Sequence, residues 1–224
     1  MIPLRDTNPH RTVPIVNYLL IGANVIIFLL QISLGKYYEA AIYQFGLVPV
    51  RLVNDVQLFD LGLMTFLPVF SSMFMHGGWM HLIGNMLFLH VFGDNIEDKL
   101  GHVRYIFFYL LAGIGAAAAQ IIINPLSEVP MVGASGAIAG VLGAYILMFP
   151  RAKILTLIPI FFFIQFIELP AFLFLGIWFL MQLLSGTLSL GIGGDAGGVA
   201  WWAHIGGFVA GAVLLLFLKR GHRY

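Results

Sequence analysis

The chain has 224 residues, of which 60% are hydrophobic and 9% charged, and its mean hydropathy is +0.96. Soluble domains carry about 25% charged residues, so this composition excludes a water-soluble globular protein and points to several membrane spans. A net charge of +1 leaves no electrostatic footprint for nucleic acid, and the absence of cysteine excludes disulfides and thiolate metal sites.

Met1 to Val13 is polar, with Arg5 and Arg11 set against Asp6, and reads as a short tail at the membrane surface. Pro14 to Leu34 is the first span, long enough at 1.5 Å per residue to cross a hydrocarbon core of about 30 Å. No small-residue cleavage site follows it, so it reads as a span and not as a cleavable signal. From Lys36 to Leu67 the periodicity breaks. Tyr37, Tyr38, Tyr43, Pro49, Arg51, Asp55 and Asp60 interrupt the apolar residues, which fits a loop partly embedded in the membrane. The second span opens at Trp79 and ends near Ile96, where Asp94, Glu97, Asp98 and Lys99 form a hydrophilic turn closed by Gly101. Arg104 to Ile123 is the third span, ended by Asn124, Pro125, Glu128 and Pro130.

The fourth element lies in Met131 to Phe149, MVGASGAIAGVLGAYILMF, where nine of the twelve residues from Gly133 to Ala144 are Gly, Ala or Ser. Gly136, Gly140 and Ala144, and again Ala139 and Gly143, recur every four positions, so one helix face can meet a neighbour backbone to backbone. The helix stops before Pro150, since a proline disfavours helix at the residue preceding it. Fifteen residues give only about 22 Å, so the helix starts below the surface and leaves Ser135 at the floor of a cavity. Arg151 and Lys153 follow. Ile154 to Ile167, fourteen residues with Pro159 inside, is too short for a span and reads as an interfacial or re-entrant segment. Glu168, Leu169 and Pro170 begin the fifth span, which runs to about Leu188. Gly191 to Gly198 is a glycine-rich loop, Trp201 to Leu218 the sixth span, and Lys219, Arg220 and Arg223 close the chain.

The expected architecture is all-α: a single six-helix membrane domain over residues 14–218, with residues 1–13 and 219–224 as tails on the cytoplasmic side. With the amino terminus inside, nine Lys and Arg residues fall on inner segments against two, Lys36 and Arg51, outside. That asymmetry obeys the positive-inside rule and places both termini in the cytoplasm, and the expected bilayer is the cell membrane.

Polar residues single out one site in this frame. In AHIGGFVAG, Ala203 to Gly211, the residues His204, Gly207 and Gly211 share one helix face, and packing that face on the Ser135 helix puts the imidazole beside the hydroxyl. His81 and Asn85, four apart, project from one face near the start of the second span. Spans two, four and six run from outside inward, so these four residues share one depth. A serine with a histidine base is the minimum for an activated nucleophile, and ionisable groups inside a bilayer mark functional sites. The Ser135 N–H, the Asn85 amide and His81 are candidate donors to a developing oxyanion. Asp195 is nine residues from His204 in the glycine-rich loop, so a Ser–His dyad without a carboxylate orienter is expected.

These residues resemble the rhomboid intramembrane serine proteases over nearly the whole chain. The resemblance rests on GASG at Gly133 to Gly136, HxxxN at His81 to Asn85, AHxxG with a following glycine at Ala203 to Gly211, and an E-x-x-L-G turn at Glu97 to Gly101. It implies Ser135 as nucleophile, His204 as general base, and an oxyanion hole of His81, Asn85 and the Ser135 N–H. It also implies cleavage of single-span membrane proteins in or beside their transmembrane segments, through an acyl-enzyme and with no cofactor or metal. The fifth span, Pro170 to Leu188, and the Gly191 to Gly198 loop would gate substrate access.

The pattern departs from the family in two places. Where some members carry a tyrosine that stacks on the histidine, this chain has Ala139, leaving Trp201 and Trp202 as candidates to hold the His204 ring against the alternative of an interfacial belt. A Trp-Arg pair in the first loop is not evident. His76 is expected to brace its loop, His90 to face a helix contact or the inner half of the bundle, and His10, His102 and His222 to be solvated. Glu168 reads as a helix-start residue. There is no HExxH, and Asp195 and Glu168 do not make an aspartyl dyad. A non-catalytic binder of membrane clients and a small transporter are the competing readings; no inverted repeat supports the latter.

Overall fold

The computed structural model describes residues 1–9, 11–160, 163–191 and 199–218. In chain order its elements are β1 (Ile2–Asp6), α1 (Ile15–Ser33), a 3-10 turn (Gly35–Tyr37), α2 (Tyr38–Phe45), α3 (Pro49–Gln57), α4 (Leu63–Ser71) with a further 3-10 turn (Ser72–Phe74), and α5 (Trp79–Leu100). Then come α6 (His102–Ile123), α7 (Ser135–Met148), β2 (Lys153–Ile160), β3 (Phe163–Pro170), α8 (Ala171–Gly191) and α9 (Trp201–Leu218). Among the described residues four helices, α1, α6, α8 and α9, are long and apolar enough to cross a bilayer. The chain is a mostly helical integral membrane protein.

α7 forms the centre. Every residue from Ala137 to Tyr145 is buried, with α9, α6 and α5 packed around it. Glycine sets the spacing. A Cβ built at Gly207 would stand 2.0 Å from the Gly136 carbonyl oxygen, one at Gly211 2.0 Å from that of Gly140, and one at Gly143 2.0 Å from that of Phe208. The faces expected to meet backbone to backbone therefore do so, with α7 against α9. α9 touches α6 the same way, since a Cβ at Gly206 would lie 2.1 Å from the Ala119 methyl.

The all-α expectation is corrected by a three-stranded antiparallel sheet in the order β1-β2-β3. β2 and β3 form a hairpin that pairs Lys153 with Pro170 at its base, and β1 adds to the other edge of β2, pairing Ile2 with Leu157 and Asp6 with Ile154. β-branched and aromatic residues dominate the hairpin and Pro159 removes a helical donor, so an extended conformation wins there. Pro3 is tolerated because β1 is an edge strand whose register shifts between Pro3 and Arg5. Residues 2–6 thus form a strand where a polar surface tail is expected. Glu168 accordingly stands in β3, 3.1 Å from Lys153 Nζ, and not at a helix start.

The segment from Lys36 to Leu67 holds three short helices where a loop is expected. Arg51 ties α2 to α3 by donating to the carbonyls of Tyr43, Gln44 and Gly46 at 2.7, 3.3 and 3.1 Å. Leu47 and Met131 exchange backbone hydrogen bonds, and Gly133 N donates to Ser72 O at 2.9 Å, so this segment fixes the backbone that leads into Ser135.

Candidate active site

Ser135 is the first residue of α7, so its N–H has no carbonyl four residues back within the helix. The approach to it needs glycine: Gly133 has φ +125°, and a Cβ there would lie 2.6 Å from His81 Nε2 and 3.4 Å from Asn85 Nδ2. Close packing of α7 on α9 then sets Ser135 Oγ 2.8 Å from His204 Nε2, a hydrogen-bond distance. Gln120 of α6 steadies the first turn of α9: its Oε1 accepts the Ala203 N–H at 3.2 Å, which that N–H shares with the Ala200 carbonyl at 3.0 Å.

His81 and Asn85 reach the same space. A cavity of about 420 Å³ is lined by His81, Asn85, Gly133, Ser135, Ala200 and His204, and Ser135 and His204 are only partly buried within it. Gly77 N donates to His81 Nδ1 at 3.4 Å, which leaves Nε2 to carry the proton on the side facing Gly133. Asn85 Nδ2 lies 2.9 Å from His76 Nε2, and an amide nitrogen has a second proton to give. The four predicted site residues therefore converge on one cavity.

His204 is held from its far side by a residue that the sequence did not single out. Gln182 of α8 places Oε1 2.8 Å from His204 Nδ1, and its Nε2 donates to the Trp178 carbonyl at 3.3 Å. Trp178 lies over the imidazole with centroids 6.1 Å apart and planes 35° apart, while Trp201 meets it edge-on at 6.2 Å. Of the two tryptophans proposed to hold the ring, Trp201 makes a contact; Trp202 has a buried indole N–H without a partner and packs near Gly186. The available signal was a buried glutamine inside an otherwise apolar span, four residues after a tryptophan.

His76 is fully buried and braced on both backbone atoms. Its N–H donates to Gln31 Oε1 at 3.0 Å, and its carbonyl accepts Gln31 Nε2 at 3.3 Å and Tyr38 OH at 2.9 Å. Its ring meets His81 edge to face at 5.1 Å. It therefore braces the loop, as expected, and supports the two donors as well. His90 is exposed and stacks beside Tyr18 at 6.4 Å. His102, expected to be free in solvent, instead pairs through Nδ1 with Glu97, whose carboxylate is fully buried. His10, His222, Asp195 and most of the glycine-rich loop lie outside the described residues.

Chemically, the arrangement brings together a hydroxyl, a base and a set of N–H donors around a cavity, the requirements of acyl transfer. A family model described as the Rhomboid domain matches residues 64–221, and the chain belongs to the rhomboid family. It is 32% identical over 132 residues to the rhomboid protease GluP of Bacillus subtilis, covering 58% of this chain and 24% of that protein. It is 30% identical over 126 residues to the chloroplastic Rhomboid-like protein 11 of Arabidopsis thaliana, covering 56% and 42%. With the mitochondrial Rhomboid protein 1 of Saccharomyces cerevisiae it shares 33% over 96 residues, covering 41% and 28%. The chain thus spans well under half the length of these curated relatives.

Proposed function

We propose that this protein is an intramembrane serine endopeptidase acting by a Ser–His dyad. The observation that carries the reading is the 2.8 Å contact of Ser135 Oγ with His204 Nε2, on a cavity that also receives His81 and Asn85. Membership of the rhomboid family, with a protease among the relatives, supports it. Ser135 Oγ attacks the scissile carbonyl carbon while its proton passes to His204 Nε2. The Ser135 N–H, Asn85 Nδ2–H and His81 Nε2–H donate to the oxyanion. The imidazolium returns its proton to the leaving amine and an acyl-enzyme forms. Water in the cavity then gives a proton to His204 and attacks the ester carbon, releasing the acid and restoring the serine. No metal or cofactor takes part in this sequence.

The topology that goes with this reading has six spans, adding α5 and the short α7 to the four long helices. Both termini face the cytoplasm, the bilayer is the cell membrane, and the substrates are single-span membrane proteins. α7 covers about 21 Å at 1.5 Å per residue, so its start lies below the outer surface and Ser135 reaches water only through the cavity.

The test uses the purified full chain in detergent with a single-span substrate and no added metal. Wild-type protein is expected to cleave it and to be labelled on Ser135 by a fluorophosphonate. Ser135→Ala and His204→Ala are each expected to lower kcat by at least about 10³-fold. Cleavage that persists in Ser135→Ala would overturn the assignment.

A further inference from the structure

An imidazole acts as a base only through the nitrogen that lacks a proton, so a Ser–His pair needs something to decide which nitrogen that is. In many serine hydrolases a carboxylate accepts the proton on Nδ1 and makes the decision. Among the described residues no carboxylate is hydrogen-bonded to His204; its Nδ1 is 2.8 Å from Gln182 Oε1. A glutamine alone settles nothing, because its amide can present either an acceptor oxygen or a donor NH₂. An NH₂ turned to the ring would force the lone pair onto Nδ1 and the proton onto Nε2, which is the inactive arrangement.

Here the ambiguity is removed by the helix itself. Gln182 Nε2 lies 3.3 Å from the Trp178 carbonyl, an acceptor that cannot donate. The amide nitrogen therefore belongs on the carbonyl side and the oxygen on the His204 side. Nδ1 must then carry the proton, and Nε2 faces the Ser135 hydroxyl, 2.8 Å away, with its lone pair. The Trp178 indole lies beside the ring, tilted by 35° with centroids 6.1 Å apart, and Gln182 itself is buried. Both contacts to the ring come from α8, one helical turn apart, whereas the dyad sits on α7 and α9.

We propose that Gln182 is the positioning residue of the dyad, standing where a triad would hold its carboxylate and locking His204 in the Nδ1–H tautomer. The inference rests on the hydrolase reading above. Gln182 touches no reacting atom; it acts through His204.

Two measurements on the full chain in detergent test it. The first needs no variant: 15N chemical shifts of labelled His204 in the resting protein are expected to report a protonated Nδ1 and an unprotonated Nε2. The opposite tautomer would overturn the proposal. The second compares Gln182→Met, which keeps the length and loses the acceptor, with Gln182→Glu, which keeps the acceptor. Gln182→Met is expected to lower kcat by about 10- to 100-fold with KM unchanged, and Gln182→Glu to stay within about threefold of wild type. Wild-type kcat in Gln182→Met, or equal losses in both variants at unchanged melting temperature, would reduce Gln182 to packing. If wild-type protein itself neither cleaves nor takes the fluorophosphonate, the hydrolase reading fails. If it does both and Gln182→Met matches it, the positioning role alone fails.

Discussion

Asn85 has two amide protons and two places to send them. One meets His76 Nε2 at 2.9 Å, which fixes the plane of the amide, and the other is free to meet an oxyanion in the cavity. Asn85→Ala is therefore expected to lower kcat by about 10²- to 10³-fold while Ser135 remains in place, with little change in melting temperature. His76→Ala loosens the same amide, so a double-mutant cycle for cleavage should show the two losses to be strongly non-additive. Simple additivity would mean that His76 serves the loop and nothing else. At this scale the sequence was most informative where a polar side chain stood out against apolar neighbours, as Ser135, His204, His81 and Asn85 do. Gln182 also stands in an apolar span, but its hydrogen bond to His204 crosses between two helices, and no spacing along the chain encodes that partner. The pairing of His102 with Glu97 was missed because the buried carboxylate faces back to α1, where it accepts the N–H groups of Val16 at 2.9 Å and Asn17 at 2.7 Å.

Between elements, the distance from α7 to α9 is set by the absence of side chains, which leads to a paired prediction. Gly211→Ala places a methyl 2.0 Å from the Gly140 carbonyl oxygen and must push the helices apart. It is expected to destabilise the fold by about 1–3 kcal/mol and to slow fluorophosphonate labelling of Ser135 as the dyad separates. Gly22→Ala and Gly176→Ala meet nothing within 4 Å and are expected to be neutral or stabilising by up to about 1 kcal/mol. Thermal unfolding of the three variants in one detergent checks the contrast, and equal effects would refute the packing argument. The small-residue faces were legible because their four-residue period is local. The sheet was not, because β1 meets β2 from about 150 residues away and neither strand shows its partner in its own pattern. Phe163, Ile164, Phe166 and Ile167 of β3 are exposed, covering both faces of an edge strand. In water such a strand invites aggregation. The hairpin runs into α8 without a linker, so its apolar surface is expected to have lipid beside it. Phe166→Trp is expected to fluoresce with a blue-shifted maximum in liposomes and to be quenched by brominated lipid; emission typical of water would place the hairpin in solvent.

Across the whole molecule, the sheet is fastened to the central helix by one acidic residue. Asp6 of β1 accepts a hydrogen bond from Tyr145 OH, and the same hydroxyl accepts Asn8 Nδ2 at 3.0 Å, so the first residues of the chain are tied to the C-terminal end of the helix that begins with Ser135. Burial holds the Asp6 carboxyl up, from 3.8 to about 6; the Asp94 charge adds to that rise and the Tyr145 hydrogen bond opposes it. An acid whose pKa is higher in the folded state binds its proton more tightly there, so the folded state gains from protonation at low pH. That gain is lost as pH rises from about 4 through about 6, after which the buried carboxylate is a constant cost. Because Asp6 is only half-buried and its field is screened, the change is on the order of 1 kcal/mol, below what the full shift would give. Asp6→Asn keeps the shape and removes the titration. The melting-temperature difference between Asp6→Asn and wild type should therefore move in favour of the variant between pH 4 and 6 and stay flat above. Parallel curves would mean that Asp6 titrates as it does in the unfolded chain, and a shift in the opposite direction would mean that the Tyr145 hydrogen bond outweighs burial.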